Sequence, residues 1–320
     1  MTSVSFSGSD EEPRERTVVP APLRRGDLIA LLAPASAVSA DYCAGAARRL
    51  EEAGFRVRLY PSCGGVSGSY SAPEEQRRGE LLDALDDEEV KGILCARGGY
   101  GCVQLLESLS PFRPEWRKWI IGFSDVSALH AWAQSCGMAS LHAPMAKHLA
   151  TYPFTDPSSR DWLAALTTGR QPEIEYPTSP FSRGGKARGR LIGGNLAVLN
   201  GLAATPFDIL GLPLREPAIL FLEDISEAVY AVERMLWRLK LQGVLEALKG
   251  LVIGQFTEYR PDRNFSSMEE MISTRLREWN IDIPTAFGFP TGHTEENRPL
   301  LLGAEAELIV GEELTTLKPA

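Results

Sequence analysis

The sequence predicts an α/β protein with two domains, because of its length, its alternating pattern and one segment of different composition. The chain has 320 residues, of which 44% are hydrophobic, enough for two packed cores. From residue 27 onward, short apolar runs alternate with longer amphipathic ones, as in DLIALLAP followed by DYCAGAARRLEEAGF. This alternation is typical of βαβ units and predicts a doubly wound parallel sheet.

The domain boundary is predicted from composition. Residues 151–186 are rich in Pro, Ser, Thr and Gly, with one short helical stretch, so we interpret them as the linker. The first domain then spans residues 21–150 and the second spans residues 187–320. The second half again alternates strands, such as AILFLED and GLVIGQF, with helical patterns, which predicts another α/β unit. Residues 1–20 are predicted to be a disordered tail.

Composition and charge argue against several classes of function. The net charge is −9, which disfavours nucleic acid as a partner. The start of the chain lacks the features of a signal peptide, and no apolar run reaches the roughly 18 residues that a membrane span needs. The five cysteines lie mostly in apolar segments without a C-x-x-C pair, so we expect reduced, structural thiols. These features predict a cytoplasmic protein without a membrane or nucleic-acid partner.

Ser124 is the first candidate for catalysis. It follows the apolar run of residues 119–123 and precedes a helical pattern, which predicts a strand-to-helix turn where open α/β sheets bind ligands. The start of the helix supplies unpaired N–H groups that can stabilise an oxyanion. The alternative role is a helix N-cap, which Ser often performs.

Glu223 ends the predicted strand AILFLED in the same way. Asp224 or Ser226 is better placed to cap the helix that follows, which leaves Glu223 without an obvious structural task. A solvated or salt-bridged carboxylate is the alternative.

His293 lies in FGFPTGHTEENRP, a Gly- and Pro-containing loop after a predicted strand, where a rigid scaffold can position it. The other three histidines fall within or just after the helix that follows Ser124 (His130, His142 and His148). A serine, a histidine and a carboxylate at strand ends indicate one cleft and suffice for activated-serine chemistry. Val126 replaces the second glycine of a G-x-S-x-G elbow, so an α/β-hydrolase fold is disfavoured.

The segment RGGYG at residues 97–101 follows the strand GILCA, and its glycines let the backbone approach a ligand closely. It lacks the spacing of both common phosphate-binding motifs, so no nucleotide cofactor is predicted. Neither H-E-x-x-H nor suitably spaced cysteines accompany the histidines, and we therefore expect no metal.

These segments together resemble the LD-carboxypeptidase family, the muramoyltetrapeptide carboxypeptidases, and the related microcin-C immunity peptidases. The resemblance runs from about Arg25 to Leu314 and rests on six segments in this order: APAS (33–36), ARGGYG (96–101), IGFSD (121–125), GGNL (193–196), FLED (221–224) and GH (292–293).

The resemblance implies a flavodoxin-like parallel-sheet N-terminal domain that carries Ser124, and a smaller α/β C-terminal domain that carries Glu223 and His293. Ser124 would be the nucleophile, His293 the general base and then acid, and Glu223 the carboxylate that orients His293. The backbone N–H groups of Gly99 and Asp125 would form the oxyanion hole. The resemblance also implies a homodimer.

The implied activity is hydrolysis of an L,D amide that releases the terminal D-Ala of a murein tetrapeptide during peptidoglycan recycling. Because such a peptide carries carboxylates, basic side chains should converge on the pocket. Arg97 and Asn195 are the assigned substrate-binding residues. Arg183, Lys186 and Arg188 are also basic candidates, but solvated surface charge is the more common role for such side chains and is expected for these three.

Two alternatives stay open. The first is a detoxifying peptidase that cleaves peptidyl or aminoacyl nucleotide antibiotics, for which residues 258–265 offer only Tyr259 and Phe265 for nucleotide stacking. The second is a non-catalytic small-molecule-binding α/β protein in which Ser124 only caps a helix.

Overall fold

The computed structural model describes residues 17–109 and 113–320, so most of the predicted tail lies outside the described residues. The elements of the first half are β1 (Leu28–Leu32), α1 (Ala40–Glu52), β2 (Arg56–Leu59), α2 (Glu74–Asp86), β3 (Val90–Cys95), β4 (Trp119–Gly122), α3 (Ser127–Ser135), β5 (Ser140–His142), α4 (Ala146–Thr151) and α5 (Pro157–Thr168). Short 3-10 turns lie at Cys102–Leu109, Pro114–Trp116 and Ser124–Val126.

The second half begins with strand β6 and ends with strand β13. Its elements are β6 (Ile174–Pro177), β7 (Gly185–Asn195), α6 (Leu196–Gly201), a 3-10 turn (Ile209–Leu214), β8 (Ala218–Ile225), α7 (Val229–Leu241), α8 (Val244–Ala247), β9 (Gly250–Thr257), α9 (Met268–Glu278), β10 (Thr285–Gly292), β11 (Leu300–Leu302), β12 (Glu305–Val310) and β13 (Leu314–Pro319).

The first sheet has the strand order β2-β1-β3-β4-β5-β11. Its first five strands are parallel and have the flavodoxin-like order, which confirms the predicted fold class. Strand β11 comes from the second half of the chain and pairs antiparallel with β5, so Leu300 lies opposite His142. The C-terminal half therefore completes the sheet of the N-terminal half.

The second sheet has the order β10-β9-β8-β7-β12-β13-β6. Strands β7 to β10 are parallel, and the remaining three pair antiparallel. Arg183, which follows β6, exchanges backbone hydrogen bonds of 2.8 and 3.1 Å with Thr285 at the start of β10, and so brings the two edges of the sheet together. The carboxyl ends of the parallel strands lie along one rim.

The predicted linker contains folded parts of both domains. Trp162 and Leu166 of α5 are buried in the core of the first domain, whereas Ile174 of β6 is buried in the core of the second. The chain therefore passes from one domain to the other between α5 and β6. At the other boundary, Val18 forms a parallel bridge with Met138, so residues just before the predicted first domain also contact it.

A single hydrophobic core connects the two domains. Leu129 and Trp132 of α3 belong to the same buried cluster as Ile192 of β7 and Leu196 of α6. This packing places the carboxyl end of β4 close to the carboxyl ends of β7 and β8. In the described part of the chain, no helix is both long and apolar enough to cross a membrane.

A buried ion pair fastens the segment after β10 to α5. Arg298 donates hydrogen bonds from Nε, at 2.8 Å, and from Nη2 to Oδ2 of Asp161. Both residues are buried. Nearby, the backbone N–H of Asn297 donates to Oγ of Ser158 at 3.0 Å. These contacts hold the loop that carries His293 against the first domain.

Substitution of Asp161 with Leu should destabilise the fold, because the buried Arg298 guanidinium would lose its buried counter-charge and keep only the longer, exposed ion pair with Glu296 at 3.4 Å. We expect the free energy of unfolding to fall by about 3–5 kcal/mol. The double variant Asp161→Leu/Arg298→Met should recover most of this loss, since no charge is then buried alone. Urea unfolding measures both effects, and a single variant that loses less than about 1 kcal/mol would contradict the assigned role.

Candidate active site

Ser124 occupies a strained turn between β4 and α3. Its φ is 64°, a left-handed conformation that is uncommon for a residue with a side chain. The residues at the cap positions of the 3-10 turn and of α3 are Phe123 and Val126, and neither cap has a side-chain hydrogen bond. The predicted strand-to-helix turn is confirmed, and the alternative role of Ser124 as an N-cap is wrong. The side chain is partly exposed.

The glycine-rich segment contacts this turn so closely that side chains are excluded. A Cβ atom on Gly98 would lie 2.9 Å from Cβ of Ser124, and one on Gly99 would lie 2.2 Å from Oγ of Ser36. Gly99 also has a φ of 101°. Among the described residues, the backbone N–H groups of Gly99 and Asp125 donate to no acceptor, so both are available to a ligand.

Arg77 fixes the end of the glycine-rich segment through hydrogen bonds to backbone carbonyl groups. It is almost fully buried, and its Nη1 donates to the carbonyl oxygens of Pro34 and Gly101 at 2.8 and 3.2 Å. The carboxylate of Asp125 accepts the backbone N–H of Cys102 at 2.8 Å, and burial raises its pKa. The Asp125 side chain therefore fastens the turn from within, while its N–H group is free.

Glu223 and His293 form a hydrogen-bonded pair at the ends of β8 and β10. Oε2 of Glu223 lies 2.7 Å from Nδ1 of His293, and the Glu223 side chain is fully buried. Burial by itself would raise the pKa of Glu223, but the neighbouring His142 and His293 outweigh it and lower the pKa to about 2. Burial alone would lower the pKa of His293. The hydrogen bond to Glu223 and the negative charge of Glu223 outweigh burial, so the pKa of His293 is raised. The pair leaves Nε2 of His293 available for another partner.

The contact between domains brings this pair to the Ser124 turn. Phe123 precedes Ser124, and its ring centroid lies 4.9 Å from that of His293. The backbone N–H of Asn195 donates to Oγ of Ser127 at 2.9 Å. Within the described residues no hydrogen bond joins Ser124 to His293, and bonds of this kind often tighten only when substrate binds.

Asn195 has a structural task of its own. Its Oδ1 accepts the N–H of Val198 at 3.1 Å and so caps α6, while Nδ2 donates to Asp224 at 2.9 Å. The side chain is buried, and a direct contact with substrate stays a prediction. Asp224 also accepts the N–H of Ala197 at 2.8 Å.

The expectation that Asp224 or Ser226 caps the helix after β8 is wrong. Helix α7 begins at Val229, after Ala228 at a cap position without a side-chain hydrogen bond. Asp224 instead fastens the start of α6, as described above. Ser226 has a φ of 63° and donates through Oγ to Glu258 at 3.1 Å.

Of the four basic candidates, one lies near the Ser124 turn and three lie far from it. Arg97 is exposed beside the glycines, and its Nη1 donates to the carbonyl of Ala37 at 2.6 Å. Lys186 and Arg188 lie near the start of β7, and Asn195 at its end pairs with Glu223. Nine steps along the strand lead from Lys186 to Asn195, a distance of roughly 30 Å.

Arg183 lies at the same amino-terminal end of the parallel strands, because it pairs with Thr285 at the start of β10 and forms an ion pair with Asp282. Arg183, Lys186 and Arg188 therefore lie away from the Ser124 turn, which fits the role of solvated surface charge expected for them.

The sequence reasoning missed His142, which lies at the end of β5 and is buried beside Glu223. Its position directly after the apolar run MASL was the signal that could have identified it. His130 lies on α3 and His148 on α4. In the described ranges, no group of three His, Cys, Asp or Glu residues is arranged to hold a metal ion, and all five cysteines are free.

The site thus combines four features at one place: a partly exposed serine on a strained turn, two backbone N–H groups without acceptors, a histidine with a raised pKa, and a buried carboxylate that bonds this histidine. Acyl transfer to a serine requires groups of these kinds.

Comparison with known proteins identifies relatives across both domains and confirms the resemblance seen in the sequence. Residues 29–143 match the family model of the LD-carboxypeptidase N-terminal domain, and residues 188–308 match that of the LD-carboxypeptidase C-terminal domain. The murein tetrapeptide carboxypeptidase of Pseudomonas aeruginosa is 32% identical over 294 residues, which cover 88% of this chain and 92% of that protein.

Two solved structures are also similar over nearly the whole chain. The muramoyltetrapeptide carboxypeptidase of Oxalobacter formigenes has a TM-score of 0.78 and 28% identity, and the match covers 92% of this chain and 99% of the other. An MccF-like protein of Bacillus anthracis has a TM-score of 0.79 and 25% identity, with 94% and 99% covered.

The raised pKa of His293 can be measured directly. We expect its Cε1–H signal in an NMR titration to give a pKa above the usual value of about 6.5. In Glu223→Gln the pKa should fall below that value, because the charge is lost while burial persists. Glu258→Gln is the graded control and should cause a smaller decrease, since Glu258 acts on His293 through charge alone and more weakly than Glu223 does. Equal shifts in the two variants would contradict the assigned pairing.

Proposed function

Because the chain belongs to the LD-carboxypeptidase family, we propose that it is a serine carboxypeptidase that releases the terminal D-Ala of a murein tetrapeptide. The observation that carries this proposal is the hydrogen bond between Glu223 and His293 next to the Ser124 turn. The arrangement supports Ser124 as nucleophile, His293 as general base and acid, and Glu223 as the carboxylate that orients His293.

In the first half of the reaction, Oγ of Ser124 attacks the carbonyl carbon of the L,D amide while Nε2 of His293 accepts the hydroxyl proton. The positive charge on His293 is stabilised by Glu223 through Nδ1–H. The oxyanion of the tetrahedral intermediate accepts hydrogen bonds from the N–H groups of Gly99 and Asp125. Collapse of the intermediate breaks the C–N bond, and His293 returns its proton to the departing nitrogen of D-Ala.

In the second half, water attacks the ester that joins the tripeptide to Ser124, and His293 accepts a proton from that water. The same N–H groups stabilise the second oxyanion. Breakage of the ester bond releases the tripeptide as a carboxylate, and His293 restores the proton to Ser124.

Arg97 is the basic residue we assign to a substrate carboxylate. It is exposed on the glycine-rich segment, two residues before the proposed oxyanion donor Gly99, whereas the other basic candidates lie near the amino-terminal ends of the parallel strands of the second sheet. A guanidinium at this place can form a charge-assisted hydrogen bond with the terminal carboxylate of the peptide.

Cleavage of nucleotide antibiotics is the second candidate, favoured by the similarity to the MccF-like protein. The two aromatic residues considered for stacking on a base, Tyr259 and Phe265, are partly buried and pack against the hydrophobic core. The hydroxyl of Tyr259 accepts the N–H of Met268 at 2.9 Å, and the ring of Phe265 lies 5.3 Å from the guanidinium carbon of Arg275. We therefore rank this substrate class below murein peptides.

We further propose a cytoplasmic homodimer. The five free cysteines fit a reducing compartment. Helix α7 exposes Tyr230, Trp237 and Leu241, and Leu214 is exposed near the end of this helix. We call these four residues the α7 face. Because an apolar face of this kind is typical of protein interfaces, we assign it to contact with a second copy of the chain.

The substrate is tested with two tetrapeptides that differ only in a terminal D-Ala or L-Ala. Mass spectrometry should detect loss of D-Ala from the first peptide, no cleavage of the second, and no cleavage of either by Ser124→Ala, because the nucleophile is absent. Cleavage of an aminoacyl-sulfamoyl adenosine together with inactivity on both peptides would reverse the order of the two substrate classes. A Ser124→Ala variant as active as wild type would contradict the serine mechanism.

The dimer is tested by light scattering after size-exclusion chromatography. Wild type should have twice the mass of the 35.0 kDa chain. Leu241→Glu should be monomeric, because it places a charge on a side chain that is 80% exposed in the α7 face. Val66→Glu is the matched control, an apolar residue that is 74% exposed elsewhere, and it should stay dimeric. A monomeric wild type, or a dimeric Leu241→Glu, would contradict the assigned interface.

A further inference from the structure

His142 is buried next to the proposed triad without a role in the reaction described above. Its side chain is fully buried, and its backbone pairs with Gly122 of β4. The ring packs between Phe123 and Phe221, whose ring centroids lie 5.8 and 5.1 Å away. The tertiary structure therefore holds this imidazole beside the carboxylate of Glu223.

The facing polar atoms of His142 and Glu223 lack partners. Both ring nitrogens of His142 and Oε1 of Glu223 are buried and, in the described part of the chain, form no hydrogen bond. Nε2 of His142 lies 4.0 Å from Oε1, whereas a hydrogen bond between such atoms spans about 2.7–3.2 Å. Buried polar atoms rarely stay without partners, and a movement of about 1 Å would join these two.

Neighbouring side chains do not supply this bond. His293 is already bonded to the other oxygen, Oε2. His130, whose ring centroid lies 6.1 Å from that of His142, has both nitrogens bonded, one to Ser140 at 2.9 Å and one to the carbonyl of Gly122 at 2.8 Å. Among His130, His142 and His293, His142 is therefore the residue with a donor to offer Oε1 of Glu223.

We propose that His142 is a positioning residue, whose Nε2–H donates a hydrogen bond to Oε1 of Glu223 while His293 carries the proton of Ser124. The bond holds the carboxylate in one plane, so that Oε2 stays directed at Nδ1 of His293. It also stabilises the negative charge of Glu223 in a site that is closed to water. His142 contacts no substrate and acts only through Glu223, so the inference rests on the proposed role of Glu223.

The test compares a variant without a donor, His142→Leu, with one that retains an amide donor, His142→Gln. The main readout is the second-order rate at which a fluorophosphonate labels Ser124, because it reports serine activation whatever the substrate is. His142→Leu should label about ten- to a hundredfold more slowly, and His142→Gln should recover most of the lost rate. On the tetrapeptide, kcat should fall in His142→Leu while KM stays unchanged.

The same substitution in a Glu223→Ala background separates positioning from general damage to the core. Once the acceptor is absent, His142→Leu should slow labelling no further. An equal effect of His142→Leu in both backgrounds, or a His142→Gln variant as slow as His142→Leu, would overturn the proposal.

Two further outcomes keep the result interpretable. Thermal unfolding checks that each variant is folded, and His142→Met replaces His142→Leu if the latter is not. Absence of labelling in wild type would overturn the serine mechanism itself, and this inference with it. Labelling of wild type with no dependence on residue 142 would overturn the inference alone.

Discussion

The hydrophobic core shared by the two domains determines where the site forms. Helix α3, which follows the Ser124 turn, packs against β7 and α6 of the second domain. Because parallel strands end at one rim, this packing sets the end of β4 beside the end of β8. The hydrogen bond from the backbone N–H of Asn195 to Oγ of Ser127 joins the two domains at this same point, between the end of β7 and the start of α3. Each sheet alone would carry only part of the chemistry.

Two features that are unfavourable for folding, a buried carboxylate and a strained backbone, lie at this same site. A fully buried carboxylate is unfavourable unless it is bonded, and Glu223 has His293 as its bonded partner. Ser124 has a left-handed backbone, which costs about 1–3 kcal/mol for a residue with a side chain. Strain and perturbed pKa values of this kind persist where the surrounding structure enforces them, and they are typical of functional sites. Gly98, which packs directly against Phe123, Ser124 and Asp125, contributes to this constraint.

The sequence predicted the features that depend on local pattern. Alternating apolar runs predicted a doubly wound parallel sheet because a buried parallel strand is short and almost wholly apolar, and the family resemblance added that its order is flavodoxin-like. Ser124, Glu223 and His293 were identified because each follows such a strand, and the structure places all three at strand ends. Expectations about which segments pack together were less accurate, because such packing involves residues far apart in the chain. Residues 151–186, interpreted as a linker from their composition, contain α5, which packs in the first domain, and β6, which packs in the second.

Local pattern determined the strands, the order of the polar groups and the two-domain α/β architecture, because these depend on residues close together in the chain. Only the tertiary structure decided that β11 completes the first sheet, since a run of three leucines carries no signal for its partner. The same holds for His142, which lies 81 residues before Glu223. Their proximity arises from the packing of one domain on the other, and such packing is specified by the complementarity of whole surfaces.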